Sequence, residues 1–188
     1  SWCDTKQTWE QDQKDHTSLT EVLAKTEDSP SWTELDADQI LAIFQQQGFN
    51  AKHVVITGGE PCMFDLNPMC ELLHKNGYST QIETSGTFEI LAPDDTWVTV
   101  SPKINMKGGY QVLRSCMARA NEIKHPVARQ AHIDELELLL QQAPISDKAL
   151  IYLQPISQKL SATKLAIDTC IEKNWRLSVQ VHKYLGIS

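Results

Sequence analysis

At 188 residues the chain suits one domain, long enough to bury a core without disulfides or a structural metal. Hydrophobic residues make up 41% and charged residues 22%, and no apolar run approaches the roughly 20 residues of a helical membrane span, so a cytoplasmic protein is expected. A net charge of -7 argues against nucleic-acid binding, which depends on clustered Lys and Arg at phosphates, and leaves a small molecule as the expected partner.

Residues 6–35 are polar, with scattered apolar positions such as Leu19, Val22 and Leu23, and read as a short helix and a loop. From Ala37 the apolar positions Ile40, Leu41, Ile43 and Phe44 have helical spacing, and Gly48 supplies the stop. His53-Val54-Val55-Ile56 is a β-branched run of the kind found in buried parallel strands, ending at Thr57-Gly58-Gly59-Glu60-Pro61. The alternation repeats: a helix over 68–75, a strand over 80–83, a strand over 97–100, a helix near 111–120 and a strand at 122–124. A helix over 133–140, a strand over 150–153, a helix over 162–173 and a strand over 176–180 complete it. Six strands separated mostly by helices predict right-handed βαβ units and an α/β fold with a parallel sheet, open or curled into a partial barrel.

In such sheets ligands bind beyond the C-terminal ends of the strands, so the residues that follow each strand are the candidates. They are Thr57 to Pro61, Glu83 to Gly86, Ser101-Pro102-Lys103 and Gln154-Pro155-Ile156-Ser157. Gly58-Gly59 lets a ligand approach the main chain, although two glycines alone also suit a plain tight turn. The spaced glycines and closing Lys-Ser/Thr of a nucleotide loop are absent. Glu60, held by Pro61, is a rigidly placed acceptor suited to a ligand ammonium or a turn carboxylate at the surface. Lys103 is a solvated charge or a partner for a ligand carboxylate. Five widely spaced cysteines, Cys3, Cys62, Cys70, Cys116 and Cys170, do not suggest a disulfide framework. The six histidines lack metal-ligand spacing, and the five tryptophans are dispersed as packing residues are.

Taken together these stretches resemble the radical S-adenosylmethionine (SAM) superfamily. Trp2-Cys3-Asp4-Thr5 looks like the end of its CxxxCxxC motif, and Gly58-Gly59-Glu60-Pro61 like its GGEP segment. Thr57-Gly58-Gly59-Glu60-Pro61-Cys62, Gln81-Ile82-Glu83-Thr84-Ser85-Gly86, Trp97-Val98-Thr99-Val100-Ser101-Pro102-Lys103, Asn121-Glu122-Ile123-Lys124-His125-Pro126, Gln154-Pro155-Ile156-Ser157 and His182-Lys183-Tyr184-Leu185 resemble the proteobacterial 7-carboxy-7-deazaguanine synthase family. The likeness runs the whole chain. Ser1 is not an initiator Met and the first two motif cysteines are missing, so the sequence reads as truncated at its N-terminus, one radical SAM core domain lacking its first segment.

The resemblance implies a lyase that converts 6-carboxy-5,6,7,8-tetrahydropterin to 7-carboxy-7-deazaguanine with loss of ammonia, in queuosine biosynthesis. It implies a 4Fe-4S cluster, SAM and Mg2+ as cofactors, a flavodoxin-like electron donor and a homodimer. Carried over by residue, Cys3 would ligate the cluster, Thr5 the magnesium, and Thr57 would contact substrate. Gly59, Glu60, Ser101, Pro102 and Lys103 would line the SAM site, Gln154, Pro155, Ile156 and Ser157 its adenosine part, with Glu83 and Ser85 on the same rim. Other readings are a radical SAM enzyme of different substrate, such as a glycyl-radical activase, and a non-catalytic α/β scaffold.

Overall fold

A computed structural model describes residues 12–26, 29–104, 110–156 and 159–181. Its elements are α1 (Leu19–Leu23), α2 (Ala37–Gln46), β1 (His53–Ile56), α3 (Asn67–Lys75), β2 (Ser79–Thr84), β3 (Trp97–Val100), α4 (Arg114–Arg119), β4 (Glu122–Val127), α5 (Gln130–Gln142), β5 (Leu150–Pro155), α6 (Leu160–Lys173) and β6 (Arg176–Leu177). All six strands are parallel and lie in sequence order, β1 to β6, in one open sheet. This is the expected α/β architecture, an unclosed sheet consistent with a partial barrel.

Local chemistry sets the boundaries. Asp36 and Gln39 form a reciprocal capping box at the start of α2, at 2.8 and 2.9 Å, satisfying two otherwise orphaned backbone N–H groups. The chain leaves α3 through Gly77 at φ +78°. At the end of α6 the same left-handed position is taken by Asn174 at φ 55°, the non-glycine residue type that best tolerates it. Two elements are shorter than their apolar patterns predict. Helix α4 begins only at Arg114: Leu113 is extended, with ψ 138°, and its otherwise orphaned N–H donates to the Gly86 carbonyl (2.8 Å) across the rim. Strand β6 is two residues rather than 176–180: Ser178 adds one more bond to Leu153, and a Val181 to Val179 bond then turns the chain.

The two faces of the sheet differ. Ile82, Val98, Val100, Ile123, Val127 and Leu153 point to the helical side, where Met117, Ile133, Leu136 and Ala166 close over them in a solvent-free core. The alternate residues share the other face through the strand register: Gln81 with Trp97, Glu83 with Thr99 and Glu122, and Lys124 with Tyr152 and Arg176. Most parallel sheets are apolar on both faces. Here one face is polar and only partly covered, which leaves it available to a ligand.

Candidate active site

Because every strand runs the same way in continuous register, the segments after β1, β2, β3 and β5 emerge on one edge of the sheet. Thr57, Gly58 and Gly59 are exposed there, Ser85, Ser101, Lys103, Gln154, Pro155 and Ile156 half-buried, and Pro102 buried. The strand-end segments expected from the sequence are thus brought to one rim, as far as they are described. Ser157, Cys3 and Thr5 lie outside the described residues, as does His182-Lys183-Tyr184-Leu185.

The loop after β1 is held from below by its own carboxylate. One oxygen of Glu60 accepts from the Thr84 hydroxyl at 2.6 Å and the Cys62 N–H at 3.1 Å. The other accepts from the Ser85 N–H at 2.8 Å and from the Ser85 hydroxyl, which also contacts the Thr87 hydroxyl at 2.7 Å. A carboxylate offers about four acceptor positions, and four donors of the chain occupy them. Glu60 therefore fixes the loop: its carboxylate is bonded to the end of β2, and the main chain of Gly58 and Gly59 is left exposed. Gly58 sits at φ +134°, closed to most side chains, and nothing lies within 4 Å of where a Cβ would stand, so the loop backbone is open to close approach.

The rim is locked laterally as well. Ser101 N–H donates to the Thr84 carbonyl at 2.7 Å, carrying the β2–β3 pairing one residue past the strands, and Gly86 N–H donates to the Thr84 hydroxyl at 3.1 Å. Gly86 has φ +76°, and a Cβ there would meet Val100 Cγ1 at 2.9 Å. These bonds fix the backbone of three candidate segments before any ligand arrives.

Below the rim the polar face carries charges, of which the sequence analysis assigned Glu83 but not Glu122, Lys124 or Arg176. Lys124 on β4 reaches over β3 to Glu83 on β2, Nζ to Oε1 2.8 Å, with side chains 20% and 33% exposed. Glu122 lies beside them, and burial pushes its carboxyl above the usual range against the opposing pull of Lys124, with Glu83 adding to the rise. Arg176 donates to the Tyr152 hydroxyl at 3.2 Å. Trp97, expected as a packing residue, is 37% exposed on this face. The available signal was alternation: Glu122, Lys124 and Pro126 interleave with Ile123, His125 and Val127.

Among the described residues no group of three or more His, Cys, Asp or Glu side chains could hold a metal. Cys62, Cys70, Cys116 and Cys170 are buried, and burial raises each thiol, to about 11 for Cys62 and about 12 for Cys116, which keeps them protonated and poor ligands. No described helix is long and apolar enough to cross a membrane.

No protein-family model matches the chain. Over all 188 residues it is 55% identical to the 7-carboxy-7-deazaguanine synthase of Escherichia coli (strain K12), covering 84% of that protein. It is 44% identical over 186 residues to the same-named protein of Buchnera aphidicola subsp. Schizaphis graminum (strain Sg), covering 99% of this chain and 83% of that one. The structure superposes on the crystal structure of QueE from Escherichia coli with a TM-score of 0.92 and 55% identity, over 95% of this chain and 78% of that chain. With a shared fold and identity of this extent, the chain belongs to the 7-carboxy-7-deazaguanine synthase family.

Proposed function

We propose that the protein is a radical SAM lyase that converts 6-carboxy-5,6,7,8-tetrahydropterin to 7-carboxy-7-deazaguanine with loss of ammonia, a step toward queuosine. The observation that carries this reading is the convergence of the β1, β2, β3 and β5 end segments on one rim above a polar sheet face, in a chain of this family. A 4Fe-4S cluster with SAM supplies the hydrogen-abstracting, one-electron chemistry when bound.

The chain's own residues bind and orient. The Gly59 main chain, kept outward by Glu60, receives the methionyl part of SAM, and Ser101, Pro102 and Lys103 line the same site. Gln154, Pro155, Ile156 and Ser157 approach the adenosine part, with Glu83 and Ser85 on the neighbouring strand end. Thr57 contacts the substrate. Cys3 ligates the cluster, and the Thr5 hydroxyl holds Mg2+, a hard cation that prefers oxygen ligands. The open rim leaves the substrate accessible from solution, and a reduced flavodoxin-like protein is the electron donor. A cytoplasmic homodimer is the assembly in which we place it.

The test is anaerobic reconstitution of the full-length protein and its Cys3→Ala variant. The reading requires wild type to gain cluster absorbance and to cleave SAM, and Cys3→Ala to lose both. Equal cluster content and equal SAM cleavage in the two proteins would remove Cys3 from the ligand set.

A further inference from the structure

The Lys124–Glu83 pair asks for a role. It lies on the half-covered face of the sheet, not in the helix-packed core, and a partly desolvated ion pair there adds little net stability over uncharged residues of similar shape. Its position is specific. Glu83 is one inward-facing step below Ser85, and Lys124 one such step below Pro126, the register partner of Gln154. Lys124 therefore sits beneath the rim segments that the proposed function gives to SAM, with Glu83 at their lower edge, in the layer a second, smaller ligand would occupy.

Lys124 is held but not exhausted. Its ammonium has three N–H donors, and among the described residues one is spent, on Glu83 Oε1. Glu83 fixes the direction of the long side chain in advance, which removes much of the entropy cost of immobilising it on a ligand. Glu122 and the Arg176–Tyr152 pair lie beside it on the same face of the sheet. An oriented ammonium beneath the rim, with donors beyond the one Glu83 takes among the described residues, is a receptor for an anionic oxygen group.

We propose that Lys124 is a specificity-determining residue that receives the carboxylate of the pterin substrate, with Glu83 as its positioning residue. This rests on the carboxypterin reading above. Both SAM and the substrate carry a carboxylate, and the depth of Lys124 below the rim assigns it to the substrate.

The test is equilibrium binding of 6-carboxypterin and of pterin without the carboxyl group, followed by pterin fluorescence, to the full-length protein in the presence of SAM. Wild type should prefer the carboxylated ligand at least tenfold. Lys124→Gln should lose that preference while keeping its affinity for unsubstituted pterin and for SAM, and Lys124→Arg, which keeps the charge, should retain most of it. If Lys124→Gln does not fold, Lys124→Met, which keeps the apolar stem, replaces it in the same comparison. A preference unchanged in the variant, or a loss of SAM affinity in its place, would overturn the assignment while leaving the carboxypterin reading intact. A wild type that binds neither pterin would overturn that reading and this inference with it.

Discussion

Glu60 and Ser85, 25 residues apart in the chain, meet on a single carboxylate oxygen that accepts both the N–H of Ser85, at 2.8 Å, and its hydroxyl. This contact ties the end of β1 to the end of β2 and sets the height of the glycine loop over the polar face. Glu60→Ala would leave the Ser85 and Cys62 N–H groups and the Thr84 hydroxyl without their acceptor. Unsatisfied donors of this kind cost about 1–3 kcal/mol each. The expected outcome is a folded protein of lower melting temperature whose SAM affinity, measured by calorimetry on the reconstituted full-length enzyme, falls at least tenfold. An unchanged affinity would mean that the loop keeps its position without the carboxylate.

Gly86 gives a contrast within one residue type. Its φ of +76° is matched by Gly77 at +78°, but a Cβ at Gly77 meets nothing within 4 Å, whereas at Gly86 it meets Val100 at 2.9 Å and Val112 at 3.3 Å. Gly77→Ala should cost about 1–2 kcal/mol from left-handed strain alone. Gly86→Ala adds overpacking of about 1–3 kcal/mol to the same strain. Urea denaturation should place Gly86→Ala clearly below Gly77→Ala, and equal midpoints would contradict the packing at the rim.

His125 makes the fold sensitive to acid. Its side chain is buried on the core side of β4, and neither ring nitrogen has a hydrogen-bond partner among the described residues. Burial lowers the imidazole to about 4, and the charges of His132 and Lys103 act in the same direction, while the His132 main chain opposes them without reaching hydrogen-bond geometry. The folded pKa lies below the unfolded value, so the unfolded state takes up the proton first. Stability is then full above pH 6.5 and declines as pH falls toward 4, by about 2 kcal/mol at pH 5. His125→Phe removes the titrating group and should flatten the slope between pH 6.5 and 4.5 in denaturant titrations. An unaltered slope would show that another group carries the acid sensitivity.

Thr5 separates magnesium from the cluster. In the proposed site its hydroxyl is a metal ligand, so full-length Thr5→Ala should keep its cluster and bind SAM but lose magnesium-stimulated product formation, and Thr5→Ser should retain more activity. Product measured against magnesium concentration and normalised to bound iron decides the matter. Unchanged stimulation in Thr5→Ala would reduce Thr5 to a turn residue that bonds its own loop.

The sequence made the strands and their order readable, because β-branched runs such as His53–Ile56 and Trp97–Val100 each end at turn residues and alternate with helical spacing. The rim followed from the rule that ligands sit past strand ends, and it required no long-range information. The polar face was harder to read. Glu122 and Lys124 alternate with apolar residues as any half-exposed strand does, and only the register that sets β4 beside β3 brings Lys124 within reach of Glu83. The partners of Glu60 were equally hidden, since Thr84 and Ser85 lie 24 and 25 residues onward. The start of α4 lies at an extended Leu113 tied across the rim to Gly86, a contact that no local pattern encodes.

The most direct measurement is anaerobic turnover of 6-carboxy-5,6,7,8-tetrahydropterin by the full-length protein with reconstituted cluster, SAM, magnesium and reduced flavodoxin, followed by mass spectrometry. The account predicts 7-carboxy-7-deazaguanine and ammonia in equal amounts, dependent on SAM. SAM cleavage without any 7-carboxy-7-deazaguanine would contradict it and point to a radical SAM enzyme of another substrate.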